Sequence, residues 1–275
     1  MMSSASQKNA TRIALWVYIA FVLIFVIAPV WYALVGSVRG SSPTNVFEHF
    51  WPVDLTLGNF SAALNRIPLD EQLLNTVLVT VFQTAFQLVT AVLAATALVF
   101  GNLRRPNLVF GFIMLTMMIP SESIIVAKFL LINDLGLFDT IVAVFIPFAA
   151  MAFPTFLLRQ AFLSFPAEIR EAAMLDGVGP LRFVVQFLIP LTKPVIYTVV
   201  VTSAIAAWNG YFWPLLVTAQ KARTVQIGIA QLSDAESTDV GVVLAGVTLV
   251  SIPLILLIIL GQKFLTSGLT EGSSK

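Results

Sequence analysis

The chain has 275 residues, of which 58% are hydrophobic and only 11% charged. Its mean hydropathy is +0.94, whereas a soluble domain carries about 25% charged residues, so the lipid bilayer is its expected solvent and an all-α membrane protein its expected class. A net charge of +1 argues against nucleic acid, the lack of cysteine excludes disulfides and thiol sites, and one histidine, His49, excludes a multi-histidine metal site.

Six segments meet the need for about 20 mainly apolar residues per span. They lie at roughly 12–36, 73–100, 108–131, 140–160, 194–217 and 241–262. The first follows Lys8 and Arg12 as a secretory signal would. Its apolar run of about 23 residues exceeds the ~7–15 of a signal core, which predicts an uncleaved anchor. Gly36 and Gly40 have the spacing of a small-residue packing motif, but at a span end they read as chance. His49 falls in a wet outer loop. In span two Gln83 and Gln87 are four apart and share a helix face. With Asn75 they either face a cavity or hydrogen-bond between helices.

Span three is the least regular, because Pro120 interrupts it and it carries Glu122 and Lys128. Each mid-span charge costs about 3 kcal/mol and each Leu, Ile, Phe or Val returns about 0.3–0.6. The thirteen such residues from Leu108 to Leu131 therefore offset two charges almost evenly. A broken span is expected, with Lys128 near the outer interface. Glu122, ionisable and inside a span, is a candidate pathway or gating residue; the other reading is a helix-break cap or a contact to a partner. Arg159 reads as a snorkelling residue at the end of span four. In span five Trp208, Asn209, Tyr211, Phe212 and Trp213 precede Pro214. Aromatic faces and an amide suit sugar rings and hydroxyls, but an aromatic belt at the outer interface is an equal reading.

The loops set the orientation. One side holds ten Lys and Arg against four acids, a net of +6, and the other five against ten, a net of −5. Basic loops mark the cytoplasmic side, which places both termini there, together with the loop at about 165–190. In that loop Pro166 suits a first helical position, and Ala167 to Leu175 are mostly strong helix formers. Glu168 and Glu171 suit the helix dipole. Ile169, Ala172, Ala173 and Asp176 form one small-residue face, and Gly177 is a natural left-handed stop. A second helix is expected from Pro180 to Pro190. The product projects below the membrane, shaped either to dock in a partner's groove or to lie on lipid headgroups.

Glu171, Ala172 and Ala173, then Asp176 and Gly177, then Pro190 thirteen residues on, match at every position the EAA loop of binding-protein-dependent ABC importer permeases, which this stretch resembles. Gly179 stands where many members carry Ser. The segments Ile132–Thr140, Phe153–Ile169, Ala207–Thr218 and Gln262–Gly272 resemble the carbohydrate branch, with Gly210 where many relatives have an acid. The likeness runs from about Leu55 to the C-terminus. It is to the second permease of the maltose-type heterodimer and of glycerol-3-phosphate-type importers.

The resemblance implies a single permease domain over 1–275 with the type I ABC importer permease fold, six transmembrane helices and a cytoplasmic coupling loop. It implies a bacterial or archaeal plasma (inner) membrane and four kinds of partner: membrane lipid, a second homologous permease forming a heterodimer, two ATPase subunits and an extracytoplasmic substrate-binding protein. By resemblance Glu171 and Asp176 make polar contacts to the ATPase, Ala172 and Ala173 allow close approach, and Gly177 shapes the turn. Gly268, Leu269 and Thr270 reach between the ATPase subunits, and the outer loop at about Thr218–Asp239 probes the binding protein. ATP and Mg belong to the partner ATPase. The chain itself has no G-x-x-x-x-G-K-[ST] phosphate loop and no G-x-S-x-G, so no cofactor is expected in it. Disaccharides or oligosaccharides are the expected cargo, with glycerol-3-phosphate or a glycerophosphodiester as the alternative. In maltose-type systems the other permease holds most of the sugar, which weakens the case for contact by Trp208, Asn209 or Tyr211. A self-sufficient secondary transporter is the reading of another class. It would show paired repeats with discontinuous helices, and the Pro120 and Pro214 regions have no convincing second copy. A membrane enzyme or scaffold has little chemistry to draw on.

Overall fold

The computed structural model describes the backbone of residues 4–40, 54–233 and 239–270. Among these the only β pairing is an isolated bridge between Arg39 and Leu55; all other regular structure is helical. His49 lies outside the described residues. The chain forms two compact units, residues 1–69 with 229–251, and residues 70–228 with 252–275.

The first unit holds α1 (Ser4–Ser37), the short α2 (Gly58–Arg66) and the start of the last helix, α14 (Val240–Thr270). Arg12–Ser37 of α1 is apolar enough to cross a membrane, and its apolar 18-residue window buries nothing within the chain. Phe21, Ile24 and Phe25 stand outward, as they do on a lipid-facing anchor. Only the end of α1 packs inward. Gly36 meets Leu244 so closely that a Cβ there would lie 2.3 Å from its Cδ1. The Gly40 N–H donates to Asp54 O at 2.8 Å, and a Cβ on Gly40 would sit 2.7 Å from that oxygen. The glycine pair is therefore not chance, although the two serve different contacts rather than one helix seam. Asn59 completes the corner, its Nδ2 donating to Ser37 O at 3.2 Å and Arg39 O at 2.7 Å.

The second unit begins within α3 (Leu69–Phe100), a continuous helix that covers the expected 73–100. Spans three and four arrive as bent pairs. After α4 (Pro106–Leu115) the chain breaks through two 3-10 turns around Pro120 and resumes as α5 (Ile125–Asp134), with the two halves 89° apart. A proline lacks an N–H and clashes with the preceding turn, so the break falls where the sequence places it. Next, α6 (Ile141–Phe145) and α7 (Ala152–Leu163) form a second pair, bent by 46°. The loop supplies α8 (Ala167–Leu175) and α9 (Pro180–Phe183), followed by a π turn over Val184–Leu188 and α10 (Ile189–Leu191). The chain then bends 86° into α11 (Lys193–Trp208).

Span five differs from the sequence reading. The apolar run 194–217 is not one helix. It stops at Trp208, turns through Asn209–Gly210–Tyr211, and restarts as the six-residue α12 (Phe212–Val217). Hydropathy measures only what lipid tolerates and is blind to this break. After an irregular loop comes α13 (Val225–Ser233). Of the six expected spans, α1, α3 and α14 (over Val240–Ile259) qualify alone, and the other three qualify only if each bent pair counts as one.

Two cores knit the second unit. One gathers Leu158, Phe162, Phe183, Leu188 and Val199 with Ala173 of α8, so the loop is packed onto the spans above it. The other gathers Val79, Ala143, Phe145, Trp213 and Val217, with the Trp213 indole N–H donating to Ala143 O at 3.1 Å.

Candidate functional site

The loop from Pro166 to Pro190 forms an elbow of short helices around Gly177. Pro166 precedes the helix as its cap, at φ −59° and ψ 125°, rather than opening its first turn as expected. At the other end Gly177 has φ +71°. Its N–H donates to Met174 O at 3.1 Å and the Val178 N–H to Ala173 O at 3.0 Å, the pair of bonds that defines a Schellman stop. Val178 packs against the core containing Ala173, the hydrophobic contact that accompanies such a stop. Gly179 is extended, at φ −69° and ψ 160°, with open space where a Cβ would go, so its departure from Ser costs nothing in backbone terms. Arg170 ties the elbow to α3. Its guanidinium lies 5.1 Å from the Phe100 ring centroid and its Nη2 donates to Phe100 O at 3.5 Å.

The faces of α8 divide differently from the small-residue stripe read in the sequence. Ala173 is only 3% exposed and belongs to the chain's own core, so it is not free to admit a partner. Glu171, Ala172 and Asp176 are exposed. The outward apolar groups are Met174, Leu175 at 89% exposure, and Leu181. Of these three the sequence reading singled out only Leu175 as an outward apolar group, on a helix lying against lipid headgroups. Pro190 sits half-buried in α10. Gly268, Leu269 and Thr270 form the last turn of α14.

Higher in the same unit is a cavity of about 320 Å³. Gln83, Gln87, Glu122, Lys128 and Tyr211 all line it, beside Trp213 and Phe148. Gln87 serves both readings made of it, since its Nε2 donates to Phe148 O at 2.8 Å while the residue borders the cavity. Lys128, unassigned in the sequence beyond its depth, has its Nζ 5.1 Å from the Phe148 centroid and 6.0 Å from that of Trp213, within cation–π range. Glu122 stands at the 3-10 turn after Pro120.

Three other residues leave the candidate set. Trp208 is 4% exposed and outside the lining, with its indole nitrogen buried and unpartnered. Asn209 caps its own helix, donating from Nδ2 to Ile205 O at 2.9 Å. Asn75 points to the loop after α12, with Nδ2 donating to Lys221 O at 2.8 Å and Arg223 O at 3.0 Å. Polarity and position could not separate a cavity-lining amide from one that pins a loop. Arg159 does not simply snorkel. It donates to Asn107 Oδ1 at 2.9 Å and stacks 4.0 Å over Phe110.

That loop is also held by Asp139, which no sequence argument singled out. Its backbone is left-handed, at φ 57°. Burial pushes its carboxyl up, but four backbone N–H donors from Ala219, Ala222, Lys221 and Gln220 outweigh this and hold it below the ordinary carboxylate range.

Residues 87–270 match the family described as binding-protein-dependent transport system inner membrane component. The chain is 34% identical to the sn-glycerol-3-phosphate transport system permease protein UgpE of Rhizobium meliloti, over 90% of this chain and 92% of that one. It is 31% identical to UgpE of Agrobacterium fabrum, over 96% and 98%, and 28% identical to the probable ABC transporter permease protein YurM of Bacillus subtilis, over 95% and 88%. Among solved structures it resembles a chain of a bacterial ABC transporter involved in the import of the acidic polysaccharide alginate. The TM-score is 0.83, the identity 27%, and the coverage 96% and 98%. A self-sufficient secondary transporter does not fit this company, and a transport component of this kind is not itself an enzyme. The chain belongs to the binding-protein-dependent transport inner-membrane component family and is a permease subunit of an ABC importer.

Proposed function

We propose that this permease pairs with a second, homologous permease to enclose a translocation pathway, with two ATPase subunits below and an external binding protein above. The elbow at Gly177 carries this reading. A short helix anchored to the spans through Ala173 and Arg170, but outwardly apolar at Met174, Leu175 and Leu181, is built to transmit a push. The charge of +6 on its side of the chain supports a cytoplasmic elbow and cytoplasmic termini, on the side where ATPases would bind ATP and Mg. The resemblance assigns Glu171 and Asp176 to polar contacts there, and the end of α14 to the ATPase dimer.

The cargo we infer is a disaccharide or oligosaccharide. The cavity offers two amides, a phenol and aromatic faces, and its one cation is matched by one anion. That suits a neutral polyol better than a phosphate dianion. A glycerol phosphate is the second reading, favoured by Lys128 and by the names of the UgpE relatives. The test is mild-detergent isolation of the complex from its native membrane, with mass spectrometry of what accompanies the chain. The co-purified binding protein is then titrated calorimetrically with sugars and with glycerol-3-phosphate. An ATPase and a second permease are expected; a chain that emerges alone even after crosslinking at its cytoplasmic loop would defeat the assembly. Binding of glycerol-3-phosphate but of no sugar would defeat the cargo reading.

A further inference from the structure

The cavity wall supplied by α12 is six residues long, with an irregular loop behind it. A helix that short does not hold itself, so something else fixes Tyr211, Phe212 and Trp213. Core packing of Trp213 and Val217 holds its inner face, and Asp139 anchors its C-terminal end. The Asp139 N–H donates to Val217 O at 2.9 Å, the last residue of α12. Its carboxylate accepts from the N–H groups of Ala219 at 2.9 Å, Gln220 at 3.3 Å, Lys221 at 3.2 Å and Ala222 at 3.1 Å. From α3, Asn75 grips the carbonyls of Lys221 and Arg223, and Thr76 Oγ1 accepts from the Val225 N–H at 3.0 Å. A non-glycine residue in left-handed backbone persists where its surroundings over-determine it, and such residues gather at functional sites. One side chain here satisfies four consecutive N–H groups that would otherwise be open.

We propose that Asp139 is a positioning residue of the translocation pathway: by holding the loop 219–222 it fixes α12, and with it the place of Tyr211 and Phe212 in the cavity wall. The proposal rests on the cavity being the pathway. Asp139 touches no solute. It sets the geometry of the residues that do, and the whole clamp must shift as one body when that wall moves.

The test uses the complete importer in vesicles. The chain has no cysteine, so Tyr211→Cys places one thiol in the wall, and labelling of this chain by a membrane-impermeant maleimide is followed by mass spectrometry. The thiol is read alone and combined with Asp139→Asn or Asn75→Leu. Asn accepts left-handed backbone as readily as Asp, but it has one acceptor oxygen in place of two. Labelling is expected to change by about tenfold in both double variants, the scale of one lost hydrogen bond to a charged group, with less solute moved per ATP. Co-purification with the partner subunits is expected to persist. A rate that responds to ATP and loaded binding protein, yet ignores both clamp variants, overturns the proposal alone. A rate that ignores ATP and binding protein in every background removes the pathway reading and the proposal with it. Failure of both variants to assemble assigns the clamp to folding and overturns the proposal as well.

Discussion

Gly177 turns one backbone torsion into a mechanical part. No atom lies within 4 Å of a Cβ built there, so a Cβ meets no clash and the main cost is the left-handed φ of +71°, about 1–2 kcal/mol for an ordinary L-residue and more for a β-branched one. Gly177→Val is therefore expected to leave the chain inserted and assembled, to tilt α9 against α8, and to lower solute uptake per ATP hydrolysed by roughly tenfold. Gly179→Ser, at ordinary torsions with open space, should stay within about 0.5 kcal/mol of the parent and change uptake little. Equal effects of the two, measured side by side in vesicles, would sink the elbow argument. Asp139 gives a pH prediction with a definite sign. Its folded-state pKa is depressed, so its contribution is fully present above the ordinary carboxylate value of about 3.9 and is lost as pH falls through the lower folded value. The melting temperature of the purified complex should drop between pH 4 and pH 3 by more in the parent than in Asp139→Asn. Gly177 was legible in the sequence because its spacing and its chemistry point the same way. Asp139 was not, because its four donors are backbone groups of a loop 80 residues distant, and a backbone N–H has no letter.

Elements show a similar division. Apolar length located the three spans that are single helices, α1, α3 and α14, and Pro120 marked the break in the third segment, because a missing N–H is a local fact. The 86° corner before α11 and the stop at Trp208 are consequences of packing, which hydropathy does not encode. The face of α8 was misassigned for a related reason. A helical wheel orders residues around an axis but does not say which side meets the chain's own core. Ala173 went inward, onto the cluster with Phe162 and Leu188, and left Met174 and Leu175 outside. This takes Ala173 out of the expected contact surface and adds Met174 and Leu175 to it, which can be tested. Burying an apolar side chain of this size contributes about 1.5–3 kcal/mol, so Leu175→Glu, or Leu175→Glu with Leu181→Glu, should weaken ATPase association by tenfold or more. Membrane insertion should be unaffected, because both residues belong to the loop at about 165–190 and not to the apolar run 194–217. Pull-down of ATPase with the variant at parental yield would return the docking surface to Glu171 and Asp176 alone.

At the scale of the whole importer the open quantity is the charge of the cargo. Lys128 and Glu122 border one cavity, so the wall is neutral as a pair but presents a cation to whatever enters. If the solute is a neutral sugar, Lys128 acts mainly through its aromatic neighbours, Phe148 and Trp213. Removing its charge should then cost no more than a surface cation–π contact, about 0.5–1 kcal/mol, or a few-fold in uptake. If the solute carries a phosphate or carboxylate, the same substitution removes a charge-assisted hydrogen bond, about 1.5–3 kcal/mol, or from tenfold to over a hundredfold. A single Lys128→Met would leave Glu122 uncompensated and blur the two cases. The informative variant is therefore Lys128→Met with Glu122→Gln, which preserves the net charge of the wall. For the sugar reading, this double variant should transport within about threefold of the parent when given the parent's binding protein loaded with its solute. A loss beyond tenfold, with ATPase stimulation by the loaded binding protein intact, would place an anionic group beside Lys128 and move the cargo to the phosphate esters.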